Sequence, residues 1–466
     1  MDLAGPAIQR DGDTYRGESR RRRNRQVRRS RSRAEQLAPA DYAVIGVPAA
    51  LLVIAHLLGG AAQPAAALWF SAALALALAS LFLIDDRGRA LGQVWPGNGV
   101  VSLFAAVVAV AAWTLLAPAS GANTPWAAVQ ARGAITWDKS ATLIEIVKLL
   151  SLASVFLLGC FAGSVSQRVT GGVKLILMAG AVWGVLSVLM MAAGLQPRQD
   201  ERLTGGFLSA NSAATVCAIL LVLSVAVLIT ARRGLSKGRS VRRRLELAAA
   251  AFCVVLFTGC LLATASRMGL TAGVVAVSAL LIWDRLSQRE KLSRRTLFVA
   301  TAGLVLTVLG VGGADALLAR IDSLDADAAN RSVIFAAHWR AFLDAPLFGH
   351  GLGSFSAVNA QLMTPENYGS LRSIRAAHNV YIQWLEEAGV LGALPMFATI
   401  GLVIATAVRR APRLRRGGTI QRGLVATSVV VLLHGFTDYA LQVPSIAALW
   451  AYLLGLQFMH GRVRRQ

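Results

Sequence analysis

Twelve stretches of 17 or more predominantly apolar residues recur along this chain, at about 42–62, 66–84, 98–117, 142–163, 173–194, 207–231, 246–265, 268–284, 297–313, 390–408, 422–440 and 443–459. Each is long enough to cross a hydrocarbon core as a helix. Inside lipid a backbone must satisfy its own hydrogen bonds, and a helix does so segment by segment. The fold expected is all-α: a polytopic integral membrane protein with about 12 transmembrane helices. Composition agrees, since 55% of the residues are hydrophobic and only 15% are charged, too few to clothe a soluble protein of 466 residues. The first apolar run starts too far from the N-terminus, and lacks the small-residue cleavage pattern, to be a removable signal peptide.

The net charge of +23 invites a nucleic-acid reading, but its distribution argues against one. With an even number of spans and the N-terminus inside, 36 of the 47 lysines and arginines fall in segments on one side. Such asymmetry marks the cytoplasmic side, so both termini are expected in the cytoplasm. Residues 1–40 form a separate basic arm, with Arg20 to Arg23 in a row and Arg25, Arg28, Arg29, Arg31 and Arg33 close behind. Aromatic residues are not interleaved beyond Tyr15, so this arm reads as a disordered topology signal drawn to anionic lipid rather than a nucleic-acid site. The remainder, 41–466, reads as one membrane domain. Its four cysteines (Cys160, Cys217, Cys253 and Cys260) lie in apolar runs with neither disulfide nor metal spacing, as packing residues do.

One long polar interval, 313–378, breaks the apolar pattern on the outer side. Three other outer segments also carry residues that lipid would not tolerate. Arg202 precedes Gly205-Gly206 at the entrance to the sixth span, and Asn211 lies one turn inside it; Asn211 reads either as a helix cap with an interhelical bond or as a functional amide. Arg267 sits in a tight turn with no acidic neighbour in sequence, which suits a guanidinium that grips an anion, a phosphate above all. Within the long loop, residues 330–346 have helical apolar spacing and a proline stop, an amphipathic helix on the membrane surface or over a cleft. Gly349, Gly351 and Gly353 mark a tight turn; a phosphate-gripping loop is a weak reading, because the Walker Lys-Ser/Thr and its strand are missing. His338 and His350 read as surface or packing residues. His378 opens the next helix with Arg372 and Arg375 just before it, a placement that suits proton exchange with a substrate. It shares one helical face with Tyr381, Ile382 and Leu385. His434 and Asp438, one turn apart, read as a structural pair, or as an Asp awaiting an Arg from elsewhere.

Taken together, Arg331…Trp339…Pro346-Leu-Phe-Gly-His-Gly-Leu-Gly-Ser-Phe355…His378-Asn379-Val-Tyr381 through Gly392 resembles the signature region of the O-antigen ligase/polymerase family. So do Arg202 to Gly206 with Asn211, Ser266-Arg267, and His434…Asp438…Pro444. The resemblance covers about 195–455. It implies a GT-C-like membrane glycosyltransferase with one long periplasmic loop, seated in a bacterial inner membrane and working at its periplasmic face. It implies no metal and no cofactor. The donor implied is a glycan on undecaprenyl diphosphate, and the acceptor lipid A-core or a growing glycan; some relatives glycosylate proteins. By position, the family's key residues match Arg202, Arg267 and His378. Arg375, Arg372, Asn211, Asn379, Tyr381 and Arg331 are expected to help bind substrate.

The chemistry is consistent with those residue types. Breaking a sugar–diphosphate bond leaves charge on the diphosphate, which fixed guanidinium groups can stabilise. The acceptor hydroxyl must shed a proton, which a neutral imidazole can take. Direct attack inverts the anomeric centre, and no acidic pair suggests double displacement. A lipid-linked-sugar transporter or flippase is the chief alternative, since twelve spans suit one; against it, the polar residues gather on one side and no matched broken helices appear in two halves. A scaffold using the basic arm is the third reading.

Overall fold

The computed structural model describes residues 39–84, 94–118, 134–196, 202–236, 238, 240–288, 314–414, 417–460 and 462. The chain divides into two units, 1–43 and 44–466, and the architecture below is that of the second. The expected arm over 1–40 falls almost wholly outside the described residues, as does the apolar run at 297–313.

Every regular element among the described residues is a helix. In chain order the α-helices are α1 Pro39–Leu57, α2 Pro64–Ile84, α3 Asn98–Leu116, α4 Lys139–Gly163, α5 Ser166–Ala192, α6 Ala210–Ser236, α7 Val241–Ala263 and α8 Arg267–Ser287. There follow α9 Ala314–Asp344, α10 Phe355–Leu362, α11 Tyr368–Leu371, α12 Val380–Arg410, α13 Gly418–His434 and α14 Pro444–His460. Eight of the helices (α2 to α8, and α12 with the turn that follows it) are long and apolar enough to cross a bilayer. Helices α13 and α14 have 17 residues each, about 26 Å at 1.5 Å per residue, and are buried along most of their length.

Small residues decide the closest approach. A Cβ at Gly163 would come within 2.7 Å of the Leu456 carbonyl oxygen, and Gly159 and Gly455 are equally tight against backbone, so α4 and α14 pack main chain to main chain. Helices α6, α8 and α13 are tied at one end by a buried ionic knot. Asp284 on α8 accepts from Arg233 of α6 (2.6 Å), from Arg422 of α13 (2.6 Å) and from Thr419 of α13 (2.8 Å). Followed the other way, the same three helices lead to Asn211, Arg267 and His434.

Helix α12 is not continuous. Gly389 adopts φ +59° and ψ −174°, which splits it into 380–388 and 390–410. A break leaves backbone groups without intrahelical partners. The glycine-rich turn supplies them: His350 and Gly351 donate their N–H groups to the carbonyls of Glu386 and Glu387 (2.9 and 2.8 Å). Val390 and Leu391 donate in return to Pro346 and Leu347 (2.8 and 3.0 Å). Gly349, Gly351 and Gly353 all have positive φ, and any Cβ there would strike Glu387, Thr136 or Glu145. The glycines are required because the turn is pressed onto a broken helix. The polar loop also holds more helix than its spacing suggested: α9 runs from 314, not 330, to 344.

Candidate functional site

The site is assembled at the end of the helices away from the Asp284 knot. It begins with a short strap, residues 202–207, that crosses the end of α7. Leu203 donates its N–H to the Ala263 carbonyl (2.9 Å), and Gln196 Oε1 accepts from the Thr204 N–H (2.6 Å) and hydroxyl (3.0 Å). Gly205 and Gly206, both at positive φ, let the strap lie against Trp183 and the backbone at His56–Leu57; the Trp183 indole donates to the Gly205 carbonyl (2.8 Å). So pinned, Arg202 points one way. Its Nε donates to the Thr264 carbonyl (2.8 Å) and a terminal nitrogen to Asn211 Oδ1 (3.2 Å).

Asn211, in the first turn of α6, passes the contact on to Asp438, 3.5 Å from its amide nitrogen. One turn deeper, Thr215 is 2.7 Å from His434 Nδ1. His434 and Asp438 are therefore not a pair. Helix α13 ends at His434, and the turn beyond it swings Asp438 onto Asn211. Asp438 is fully buried, and its Oδ2 has no partner. Burial raises its carboxyl to about 6, against the backbone N–H groups of Tyr439 and Ala440, the Asn211 amide and the charge of Arg331, which all pull it down.

His378 enters from another side. It is not the first residue of α12. It precedes the cap, in the left-handed region at φ +52°, an unusual conformation for a residue with a Cβ. Asn379 is the cap: its Oδ1 accepts from the N–H groups of Tyr381 and Ile382 (3.0 and 3.1 Å). The imidazole stands edge-on to Tyr439 at 5.1 Å, and its Nδ1 has no partner. Burial, then the charge of Arg331, lowers it to about 4, so it is neutral at pH 7. Arg331 on α9 thus acts on His378 and Asp438 at once, and interacts with His434 too.

Of the residues expected from the sequence, Arg202, Asn211, Arg331 and His378 gather round Asp438 and Tyr439. Arg267 opens α8 just past the turn that Arg202 grips; Ser266 caps that helix, and the half-buried guanidinium has no side-chain partner among the described residues. Arg375 is exposed three residues before His378, and Arg372 is exposed with its guanidinium 5.9 Å from the Tyr368 ring. Asn379 and Tyr381 are spent structurally. The Tyr381 hydroxyl donates to the Leu432 carbonyl (2.7 Å) and its ring packs on Phe436. His338 and His350 are both buried packing residues, not surface ones: His338 meets Glu386 (2.8 Å), and His350 lies 2.9 Å from the Ala341 carbonyl.

Beside this cluster opens an apolar cavity of about 800 Å³ between α3, α4, α12, α13 and α14. Val380, Tyr381, Gly435 and Leu441 line its near end, and Val94 and Ile404 its far end. Its wall takes in Val380, Tyr381 and Trp384 before the Gly389 break in α12 and residues from Met396 to Ile404 beyond it. Among the described residues no group of three or more His, Cys, Asp or Glu side chains could hold a metal ion.

Residues 251–397 match a family model described as O-Antigen ligase. The match runs from α7 into α12 and takes in Arg267, Arg331, Arg372, Arg375 and His378; Arg202, Asn211 and Asp438 lie outside it. No curated protein matches the chain.

Proposed function

We propose that this chain, a multi-pass membrane protein with an O-antigen ligase segment over residues 251–397, is an inverting, metal-independent glycosyltransferase. It takes a glycan from undecaprenyl diphosphate and passes it to a saccharide hydroxyl at the periplasmic face of the inner membrane. The observation that carries the reading is the meeting of arginines and a neutral imidazole beside a large apolar cavity. In this reading the polyprenyl tail lies in the cavity and the diphosphate meets Arg202, Arg267 and Arg331. Arg372 and Arg375 flank the approach of the acceptor.

The acceptor O–H gives its proton to the imidazole of His378 as its oxygen attacks the anomeric carbon. The bond from that carbon to the diphosphate breaks on the opposite face, and the electron pair leaves on the lipid diphosphate. An imidazole held at about 4 is a weak base, but a bound diphosphate favours the imidazolium and so raises its proton affinity towards the working pH.

With purified lipid-linked donor, His378→Ala and Arg267→Ala are expected to lose at least a hundredfold in turnover at unchanged expression. Full activity in both removes the site assignment, and inhibition by a chelator removes the metal-free mechanism. Deletion with gel analysis of surface polysaccharide separates the acceptors. Lipid A-core without long chains, with lipid-linked polymer accumulating, means a ligase; single-repeat caps or lost exopolysaccharide mean a polymerase.

A further inference from the structure

Two buried side chains of opposite character fasten α9 to α12. His338 on α9 and Glu386 on α12 are both fully buried, with Nδ1 and Oε2 2.8 Å apart. The imidazole lies nearly flat on Phe355, ring centres 4.6 Å apart. The contact is otherwise bare, since His338 Nε2 and Glu386 Oε1 have no partner. A buried pair of this kind adds little net stability, because desolvation offsets its attraction and a packed apolar pair would serve as well. A directional contact specifies register instead. His338 follows Arg331 by seven residues, two turns along one face of α9. Glu386 lies eight residues after His378, in the last turn before the Gly389 break. One contact therefore indexes the helix that carries Arg331 against the helix whose entry carries His378. The neighbouring Glu387 indexes the glycine turn in the same way, accepting from the Gly353 N–H at 2.9 Å.

We propose that the His338–Glu386 pair is a positioning device that holds the Arg331 guanidinium in place beside His378 and Asp438. The consequence for turnover rests on the transferase reading; the contact and its effect on His378 do not. His378 is met by Arg331 from α9 and by the Tyr439 ring from the segment after α13; Asp438 and His434, on which Arg331 also acts, are held by Asn211 and Thr215 of α6, with Arg202 behind Asn211. Arg331 is the charge that acts on its titration. If α9 slips, that charge recedes and the imidazole becomes easier to protonate.

Diethyl pyrocarbonate acylates neutral imidazoles, and five of the six histidines here are buried, with His378 alone partly exposed. The pH dependence of its reaction with His378, read by peptide mass spectrometry on the full-length protein in membranes, reports that titration without turnover. The midpoint is expected to move up by about one pH unit in Arg331→Gln and equally in His338→Gln, with no further movement in the double variant. Glu386→Gln takes the place of His338→Gln if the latter fails to accumulate. A midpoint unmoved in any of these variants overturns the proposal, and so do shifts that add in the double variant. In the transfer assay each single variant is expected to lose about tenfold in kcat, and the double no more than either; losses that multiply mark a merely structural brace. A protein that shows the shifts yet transfers no glycan keeps the positioning device and loses the transferase reading.

Discussion

Asp438 illustrates what a single side chain costs at such a site. Its carboxyl is raised to about 6, because burial penalises the charged form more than Asn211, two backbone N–H groups and Arg331 favour it. A carboxyl raised above its unfolded value of about 3.9 binds a proton more readily in the fold, so stability falls as pH climbs from about 4 to 6 and stays lower above that. Asp438→Asn is therefore expected to stabilise the protein at pH 7 by roughly 1–3 kcal/mol, with the gain vanishing at pH 4, while transfer falls. Thermal unfolding at the two pH values checks it; a lower melting point at pH 7 would make Asp438 a brace. His378 works in the opposite sense. Held at about 4, it takes stability away as pH falls below about 6.5. Arg202, Asn211, Arg331 and His378 were legible as polar residues where lipid offers no partner. Asp438 was not. His434, one helical turn earlier, is the partner its spacing suggests, and only the end of α13 shows that the two meet different residues of α6, Thr215 for His434 and Asn211 for Asp438.

At the scale of elements, the site depends on a helix that stops and restarts. Hydropathy starts the corresponding span at 390, while helical spacing already opens a helix at His378; α12 begins at Val380 and carries buried Gln383, Glu386 and Glu387 in its first two turns. Those residues look like loop when read as composition. They are tolerated because the turn 346–353 and α9 cover them. Gly389→Ala is expected to cost ~2 kcal/mol or more, since its φ of +59° disfavours a Cβ and the Leu347 carbonyl occupies the space. The readout is a lower melting temperature and yield, with kcat of the surviving folded fraction also reduced, because His350 and Gly351 lose their acceptors. A protein of unchanged stability would mean that the break forms without the glycine. The glycines of the turn were legible as a tight bend, but what the bend presses against was not, since Glu386 and Thr136 come from distant parts of the sequence.

At the scale of the molecule, apolar run lengths gave the helical character and most of the crossings, because a bilayer imposes one length on every span. The positive-inside charge pattern put Arg202, Arg267, Arg331 and His378 on a single side, and the structure brings Arg202, Arg331 and His378 close to one another there. It could not give the cavity, which arises where five helices fail to close. The lining of that trench reaches Val94 and Ile404. A lipid carrier too short to reach Val94 would leave apolar wall uncovered, at ~0.8 kcal/mol for each methylene not buried. One longer than the trench would trail into the bilayer and gain nothing. Measured against synthetic isoprenoid diphosphates of graded length, donor KM should drop steadily and then level off, so that the protein acts as a gauge of its own substrate, set by where α12 runs out.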